Sequence, residues 1–299
     1  MQITIITINY NSSENTIKLL ESLRNQTDKS FEVIVVDNNS HDVEKLIDYQ
    51  TPETNITYIK NDRNLGYSGG NNVGIKKALE NGADWVLLLN NDTWVESSFV
   101  EHLKAFLEGG EGVVGLAIDE GHRTVQAGLI EWLKPTLTHI TTLKVVSPQV
   151  INKNTHNDLQ GRYYAIGGAV AIRQDIFEKI CFLDENYFLY FEDVDFCQRA
   201  RGAKIPVSFI SSIKIHHSVS ASTKKLGSPM LLRYHYRNAL YFNMKNGPWY
   251  IKLLVWPWSW LIILKQAIKI VIGKNIDQSL AILKGVGDWY SGRMGKIHD

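Results

Sequence analysis

The sequence has 299 residues, of which 44% are hydrophobic and 21% are charged. This balance supplies a substantial core for one large domain or two smaller ones, and it excludes a chain that is disordered throughout. The only cysteines, Cys181 and Cys197, are too few for a disulfide framework, which indicates a reducing compartment. The first residues lead directly into a predicted strand, so we expect no secretory signal.

The net charge of +1 conceals an uneven distribution. Residues 223–299 contain 12 basic and 3 acidic residues and carry +9, whereas the remainder contains 20 basic and 28 acidic residues and carries −8. Five of the eight tryptophans also lie in this basic segment. Basic residues among tryptophans and aliphatic runs are typical of a membrane surface, and they fit a nucleic-acid groove less well.

Strands and helices are predicted to alternate through the first third of the chain. Short apolar runs predict strands at residues 3–8, 31–36, 56–59 and 85–89. Helices are predicted between these strands, and a further helix is predicted at residues 99–107. This β-α-β alternation favours a parallel, doubly wound sheet with right-handed crossovers.

Polar clusters follow two of these strands. DNNS at residues 37–40 ends the second strand, and NND at residues 90–92 ends the fourth. Ligands of open α/β sheets bind beyond the carboxyl ends of the strands, so Asp92 is a candidate to hold a divalent cation against a phosphate. A simple turn is the alternative, because Asn and Asp are turn formers.

A polar loop with several glycines is predicted at residues 61–72, before a helix at residues 73–79. Together with the acidic strand ends, this loop would form a crevice suited to a nucleotide. Its sequence matches neither GxGxxG nor a P-loop, which disfavours a dehydrogenase and a P-loop NTPase.

An aromatic run at residues 188–191 precedes three carboxylates that open a predicted helix, Glu192, Asp193 and Asp195. Acidic residues favour the positive end of a helix dipole, and an ion pair with Arg199 would explain Asp195. A carboxylate beneath an aromatic wall is also a candidate for a raised pKa and for a general base.

The regions on either side of this helix are less informative. We interpret residues 113–160, which mix short apolar and polar pieces, as irregular strands and loops. A strand is predicted at residues 207–215 and ends at His216 and His217. A neutral imidazole there is a candidate ligand for a metal or a phosphate, but an unliganded histidine explains the pattern equally well.

The tail at residues 248–272 combines tryptophan and lysine with aliphatic runs. Its longest uncharged run, residues 253–264, has 12 residues and contains Pro257. That is too short to span a bilayer core of roughly 30 Å as a helix. We therefore expect the tail to lie on a membrane surface, with Trp in the headgroup layer and Lys at the lipid phosphates. A packed helical hairpin and an oligomer interface are the alternatives.

Eight short motifs follow one another along the chain. They are NYN (9–11), DNNS (37–40), NLGYSGGNNVGI (64–75), LLLNNDT (87–93), GGAVAIRQDIFEKI (167–180), FLDENYFLYFEDVDFCQRAR (182–201), HSVSAST (217–223) and RN (237–238). In this order they resemble a family 2 inverting glycosyltransferase of the bacterial rhamnosyltransferase-like branch. The resemblance covers roughly residues 1–245, and KGVGDWYSGRMGK in the tail resembles the usual ending of that branch.

The resemblance implies the α/β fold of nucleotide-diphospho-sugar transferases, called GT-A, with a mostly parallel doubly wound sheet and a helical C-terminal extension. It implies a catalytic domain at residues 1–245, with a nucleotide-binding half at about 1–110 and an acceptor-binding half at 111–245. Residues 246–299 would form the basic, Trp-rich tail that associates with a membrane.

The resemblance also implies roles for individual residues. Asp193 matches the catalytic base, and Asp92 and His217 match the metal site, with His216 as the alternative histidine. Many members of the family have Asp where this chain has Asn90, so metal binding would depend on Asp92. The residues implied in nucleotide-sugar binding are Asn9, Tyr10, Asp37, Gly70, Asn71, Asn90, Asn91 and Asp92, and those implied in acceptor binding are Gly168, Glu192 and Arg237.

The implied reaction is inverting sugar transfer with Mg²⁺ or Mn²⁺, in bacterial surface polysaccharide synthesis. L-Rhamnose from dTDP-L-rhamnose is the favoured donor, and the acceptor is a glycan or a polyprenyl-diphosphate-linked glycan. A UDP-hexose donor is one alternative. A non-catalytic module that binds a nucleotide sugar or tethers a partner to the membrane is another, which the presence of both Asp92 and Asp193 disfavours. We expect a peripheral protein on the cytoplasmic face of the inner membrane.

Overall fold

The computed structural model describes residues 1–49, 55–141, 160–217 and 228–298. The helices are α1 (Ser13–Arg24), α2 (Glu44–Asp48), α3 (Gly66–Glu80), α4 (Phe99–Leu107), α5 (Asp175–Ile180), α6 (Glu192–Gly202), α7 (Pro229–Asn246), α8 (Trp249–Val271) and α9 (Ile276–Tyr290). The strands are β1 (Ile3–Asn9), β2 (Phe31–Asp37), β3 (Ile56–Lys60), β4 (Trp85–Leu89), β5 (Thr93–Trp94), β6 (Val113–Asp119), β7 (Thr124–Val125), β8 (Ala127–Leu129), β9 (Thr138–Ile140), β10 (Tyr163–Tyr164), β11 (Ala169–Arg173) and β12 (Val207–His217).

The described strands form a nine-stranded mixed sheet in the order β3-β2-β1-β4-β11-β6-β12-β5, with β7 paired to β6. β1 runs parallel to β2 and β4, and β2 runs parallel to β3. β11 is antiparallel to both of its neighbours, β4 and β6. The carboxyl ends of β1, β2 and β4 therefore lie at one edge of the sheet, as the β-α-β alternation predicts.

The central strands are covered on both faces. Every residue of β4 is buried, and its side chains alternate between two hydrophobic clusters. Val86 and Leu88 belong to the cluster on one face, whereas Trp85, Leu87 and Leu89 belong to the cluster on the other. This alternation is the period of two of a strand, and burial on both faces explains why the run is continuously apolar.

Helix α3 begins at Gly66, so Gly70 and Asn71 lie within a helix and not in the predicted loop. The glycines allow α3 to approach the sheet closely. A Cβ at Gly74 would lie 2.6 Å from Cγ2 of Ile6, and one at Gly70 would lie 2.8 Å from Nδ2 of Asn38. Tertiary packing thus outweighs the low helix propensity of glycine, which suggested a loop in the sequence.

The prediction of irregular structure at residues 113–160 is wrong at its start. β6 is a seven-residue core strand that pairs with β11 and β12. Gly115 interrupts its apolar pattern because the ring of Phe209 would lie 2.9 Å from a Cβ there. β8, β9 and β10 form a small separate sheet, and residues 142–159 lie outside the described part of the chain.

The three C-terminal helices pack against one another and return to the rest of the fold. Nε of Arg233 on α7 lies 2.7 Å from Oδ2 of Asp288 on α9. After α9, the backbone N–H of Gly295 donates to the carbonyl of Asn186 at 2.8 Å. The N–H of Ile297 donates to the hydroxyl of Tyr234 on α7, also at 2.8 Å. The tail is therefore joined to the segment that precedes α6.

Helix α8 continues through Pro257 and is longer than the uncharged run of 12 residues at 253–264. Its 23 residues make it the one helix in the described residues that is long and apolar enough to cross a membrane. One side packs inward through Ile251, Val255 and Ile262. The other side is apolar and exposed, and we call it the α8 surface; it comprises Trp249, Leu253, Trp256, Trp260, Leu261, Leu264, Ile268 and Val271.

Candidate active site

A buried hydrogen-bond cluster joins the carboxyl ends of β1 and β2. Nδ2 of Asn9 donates to Oδ1 of Asp37 at 2.8 Å and to Oγ of Ser40 at 3.0 Å. The backbone N–H of Ser40 donates to Oδ2 of Asp37 at 3.0 Å. These bonds fix the predicted pair Asn9 and Asp37 together, and the neighbouring Tyr10 is 49% exposed at the surface.

The start of α3 lies against this cluster. Nδ2 of Asn38 donates to the carbonyl of Gly66 at 2.9 Å, and Gly70 supplies the space for the Asn38 side chain. Nδ2 of Asn71 donates to the carbonyl of Tyr67 at 3.0 Å. The glycines and amides predicted to lie near a nucleotide thus surround the ends of β1 and β2.

The turn after β4 is held from two directions. The N–H of Asn90 donates to the carbonyl of Gly168 at 3.1 Å. A Cβ at Gly168 would lie 2.4 Å from the Asn90 side chain, so this contact requires glycine. Nδ2 of Asn91 donates to Oγ1 of Thr16 at 2.9 Å, which ties the turn to α1. Asn91 therefore anchors the turn that carries Asp92.

Asp92 faces His217 across the end of β12. Oδ2 of Asp92 lies 3.1 Å from Nε2 of His217, and the hydrogen bond to Asp92 raises the pKa of that histidine despite its burial. His216 points elsewhere, because its ring stacks on Trp94 and its Nε2 lies 3.2 Å from a carboxylate oxygen of Glu96. Of the two candidate histidines, His217 is the one beside Asp92.

A carboxylate and an imidazole suit a divalent cation whose other ligands are phosphate oxygens and water. In the part of the chain that the structure describes, no group of three or more His, Cys, Asp or Glu side chains is arranged to hold a metal. Asp92 and His217 therefore fit a metal that is shared with a bound diphosphate better than a closed protein site.

Asp193 lies in the first turn of α6 with both carboxylate oxygens occupied. Oδ2 accepts a hydrogen bond from the N–H of Gly167 at 3.0 Å, and Oδ1 accepts one from the N–H of Val194 at 2.8 Å. Both bonds favour the ionised form, but burial outweighs them and raises the pKa of Asp193 to about 6. A carboxylate with this pKa is suited to accept a proton near neutral pH.

Glu192 is more deeply buried, with 6% of its surface exposed. Within the described residues, its Oε2 has no hydrogen-bond partner. Burial, and then the charge of Asp193, raise its pKa well above the ordinary value of 4.5. Burial and the neighbouring carboxylate thus favour the protonated form of Glu192 more than they do for an ordinary glutamate.

Tyr67 is a residue of the site that was not among the residues predicted from the sequence. It lines a cavity of about 10 Å³, room for about one water, together with Gly167, Glu192 and Asp193. Burial, followed by the charges of Glu192, Asp193 and Asp92, holds the pKa of Tyr67 well above its ordinary value. Tyr67 thus lies beside Glu192 and Asp193 and within the influence of Asp92. The YSGG sequence at the start of α3 is the sequence pattern from which Tyr67 could have been predicted.

Arg237, predicted to bind the acceptor, is 1% exposed and belongs to the scaffold. Its guanidinium lies over the ring of Tyr234, and its Nε donates to Oδ1 of Asn238 at 3.0 Å. Its Nη2 donates to the carbonyl of Tyr187 at 3.4 Å. Its contacts in this structure are with the scaffold, and its predicted role in acceptor binding stays a prediction.

The sequence profile described as "Glycosyl transferase family 2" matches residues 4–195. The chain belongs to glycosyltransferase family 2. It is a glycosyltransferase that uses a nucleotide sugar, and the matched region includes Asp37, Asp92 and Asp193 but ends before His217.

Two curated relatives span most of this glycosyltransferase. The low-salt glycan biosynthesis hexosyltransferase Agl10 of Haloferax volcanii is 26% identical over 237 residues, which cover 79% of this chain and 73% of the relative. The dTDP-rhamnosyl transferase RfbF of Shigella flexneri is 24% identical over 260 residues, which cover 81% of this chain and 79% of the relative. The expected relationship to rhamnosyltransferases is confirmed at the level of the family.

Solved structures establish the GT-A fold. S. aureus TarS in complex with UDP-GlcNAc superposes with a TM-score of 0.60 at 15% identity, over 97% of this chain and 80% of that one. GalNAc-T7 with UDP, GalNAc and Mn²⁺ superposes with a TM-score of 0.62 at 14% identity, over 83% of this chain and 49% of that one. The expected fold, with its mostly parallel sheet and C-terminal helices, is confirmed.

Proposed function

We propose that this glycosyltransferase is a metal-dependent inverting enzyme in which Asp193 is the general base. The observation that carries the proposal is the placement of Asp193. Its carboxylate is fixed by two backbone N–H groups, and burial raises its pKa to about 6. It therefore remains ionised at neutral pH and keeps affinity for a proton.

The transfer is a single displacement. The acceptor hydroxyl oxygen forms a bond to C1 of the sugar while the bond from C1 to the diphosphate oxygen breaks. The hydroxyl proton passes to Asp193, and the electron pair of the broken bond leaves with the nucleoside diphosphate. Attack opposite the leaving group inverts the configuration at C1.

We assign donor binding to residues 1–110 and acceptor binding to residues 111–245. Asn9, Tyr10 and Asp37 lie where a nucleotide would meet the ends of β1 and β2. Asp92 and His217 would hold Mg²⁺ or Mn²⁺ beside the diphosphate, where the ion neutralises the charge of the leaving group. The Mn²⁺ in the structures of GalNAc-T7 and of a Pyrobaculum calidifontis mannosyltransferase supports the use of a divalent metal.

L-Rhamnose from dTDP-L-rhamnose is our first choice of donor, supported by the similarity to RfbF. A UDP-hexose is the second, supported by the fold shared with TarS, which was solved with UDP-GlcNAc. A panel of nucleotide sugars, with mass spectrometry of the products, separates the two. If no donor is consumed and the Asp193→Asn variant behaves as the wild type does, the protein is a binding module.

We further propose that the α8 surface rests on the cytoplasmic face of the inner membrane and brings the enzyme to a lipid-linked glycan. Exposed tryptophans and the exposed Lys252 and Lys265 on α8 suit the headgroup layer. An in-plane position is favoured over a spanning one because α8 packs along one side onto α7 and α9, which carry buried charged residues such as Asp288.

A further inference from the structure

The turn before Asp193 has an unusual backbone. Phe188, Tyr190 and Phe191 have φ of 59°, 69° and 74°, although none of them is glycine. Residues with side chains rarely adopt this left-handed conformation, and it persists only where the surroundings enforce it. Phe191 is the residue immediately before α6, so this turn sets where the first turn of that helix begins.

Asn238 on α7 provides that enforcement. Its Nδ2 donates to the carbonyls of Tyr187 at 2.9 Å, Leu189 at 2.8 Å and Tyr190 at 3.1 Å. The side chain has no exposed surface, and its oxygen accepts a hydrogen bond from Arg237. The amide N–H groups of Asn238 are thus directed at the turn, and its oxygen is directed at Arg237.

The same turn also contacts the donor side of the site. The carbonyl of Phe188 accepts a hydrogen bond from the N–H of Tyr67 at 2.7 Å. Gly66, with φ of 75°, makes room for it, since a Cβ there would lie 2.4 Å from the Phe188 oxygen. This contact does not involve Asn238, so the start of α3 keeps its hydrogen bond to the turn when Asn238 is replaced.

We infer that Asn238 is a positioning residue for the transfer reaction, which holds the turn at residues 187–191 so that Asp193 meets the acceptor hydroxyl. The inference rests on the proposed role of Asp193 as the base. Asn238 has no exposed surface, and it acts through the backbone that precedes α6.

Asn243 offers a matched control on the same helix. It is also fully buried. Its Nδ2 donates to the carbonyl of Ala239 at 2.7 Å, and its Oδ1 accepts from the N–H of Leu133 at 2.9 Å. Neither bond reaches the turn, so Asn243→Ala removes a buried amide of α7 without releasing the backbone before Asp193.

The experiment compares kcat, donor KM and the thermal midpoint for Asn238→Ala, Asn238→Ser and Asn243→Ala. We expect Asn238→Ala to lower kcat by about 10²-fold, as a small misplacement of a catalytic group does, with donor KM within about twofold. The acidic limb of its pH profile should also shift, because the environment of Asp193 changes. Asn243→Ala should lower the thermal midpoint similarly while kcat stays within about twofold of the wild type.

Asn238→Ser retains one donor, should give an intermediate kcat, and serves as the test if Asn238→Ala does not fold. Equal losses of kcat in the folded variants of both asparagines, or an unchanged kcat in a folded Asn238 variant, overturn the inference. If Asp193→Asn is inactive while the Asn238 variants keep full kcat, only the positioning role is wrong. If Asp193→Asn stays active, the proposed base itself is wrong.

Discussion

The N–H of Gly167 and the carboxylate of Asp193 are joined by a hydrogen bond of 3.0 Å, which links the segment before β11 to the first turn of α6. Because the donor belongs to the backbone, no rotation of a donor side chain can release the carboxylate. The next glycine, Gly168, holds Asn90 through its carbonyl. Two adjacent residues thus connect the proposed base with the turn that carries Asp92, and their spacing is fixed by the chain itself.

Replacing Asp193 with Asn should abolish transfer while leaving donor binding nearly intact. The amide keeps the shape of the carboxylate but cannot accept the acceptor proton, and general bases contribute about 10²–10⁴-fold. Turnover with the preferred donor and nucleotide affinity by calorimetry provide the check. A variant that keeps more than about a tenth of wild-type turnover excludes Asp193 as the base.

Activity should fall as the pH is lowered through about 6. Burial raises the pKa of Asp193 to about 6, so the base is ionised above that pH and protonated below it. The pH profile of kcat/KM reports this group in the free enzyme. A midpoint near the ordinary aspartate value of 3.8 would contradict the environment described for Asp193.

Replacing Glu192 with Gln should change how stability depends on pH. Burial raises the folded-state pKa of Glu192 above 4.5, so the unfolded state loses its proton first as the pH rises. The wild type therefore loses free energy of unfolding above about pH 4.5, by up to about 1.4 kcal/mol per pH unit. The Gln variant lacks this loss. Urea unfolding at pH 5, 6 and 7 should show that the free energy of unfolding of the variant rises relative to that of the wild type as the pH rises. If the difference between the two free energies is the same at all three pH values, the pKa of Glu192 is not raised.

Replacing Asp92 with Asn should weaken the metal-dependent part of nucleotide binding. The change removes the charge that pairs with His217 and is proposed to face the metal. Asp28→Asn is a suitable control, because Asp28 pairs with Lys104 and precedes the amino end of β2, away from the site. Calorimetry with and without Mn²⁺ measures the effect. Equal nucleotide affinity under both conditions, in the wild type and the Asp92 variant alike, would refute the metal role.

Full-length protein should float with anionic liposomes at low salt through the α8 surface. High salt should weaken binding without abolishing it, since each surface Lys or Arg contributes roughly 1 kcal/mol and the apolar side chains remain inserted. Trp260→Ser with Leu264→Ser should reduce flotation, because these residues are 65% and 57% exposed. Ile47→Ser, at a 52% exposed apolar position on α2, is the control. If protein without residues 246–299 floats as well as the full chain does, the α8 surface is better interpreted as an oligomer interface.

The parallel half of the sheet could be predicted because its strands are continuous apolar runs that end in polar clusters. The pairing of Asn9 with Asp37 follows from that topology, since the carboxyl ends of neighbouring parallel strands meet. The i,i+4 pair of Asp195 and Arg199 also forms as the helix period predicts, at 2.7 Å. Local sequence patterns were sufficient to predict those elements whose own residues show the period or the apolar run of a helix or strand.

Elements whose form depends on distant partners could not be predicted. The glycines of α3 predict a loop by local rules, but they form a helix because they pack closely against Ile6 and Asn38. Gly115 interrupts the apolar pattern of β6 because the ring of Phe209 occupies the space of a side chain there. From its residue type, Arg237 is expected at the surface, but the fold buries it in contact with Tyr187 and Asn238. Pro257 disfavours a continuous helix by local rules, yet α8 continues through it.

The return of residues beyond α9 to the segment before α6 has a consequence for biosynthesis. During translation, Asp193 leaves the ribosome well before Asn238, and before the Gly295 N–H that bonds to Asn186. At about 5–20 residues per second, the interval between Asp193 and Gly295 is on the order of ten seconds. A nascent chain therefore carries its proposed base before the backbone around it is secured. A fragment ending at residue 195, where the family match ends, would retain Asp193 but lose this support permanently.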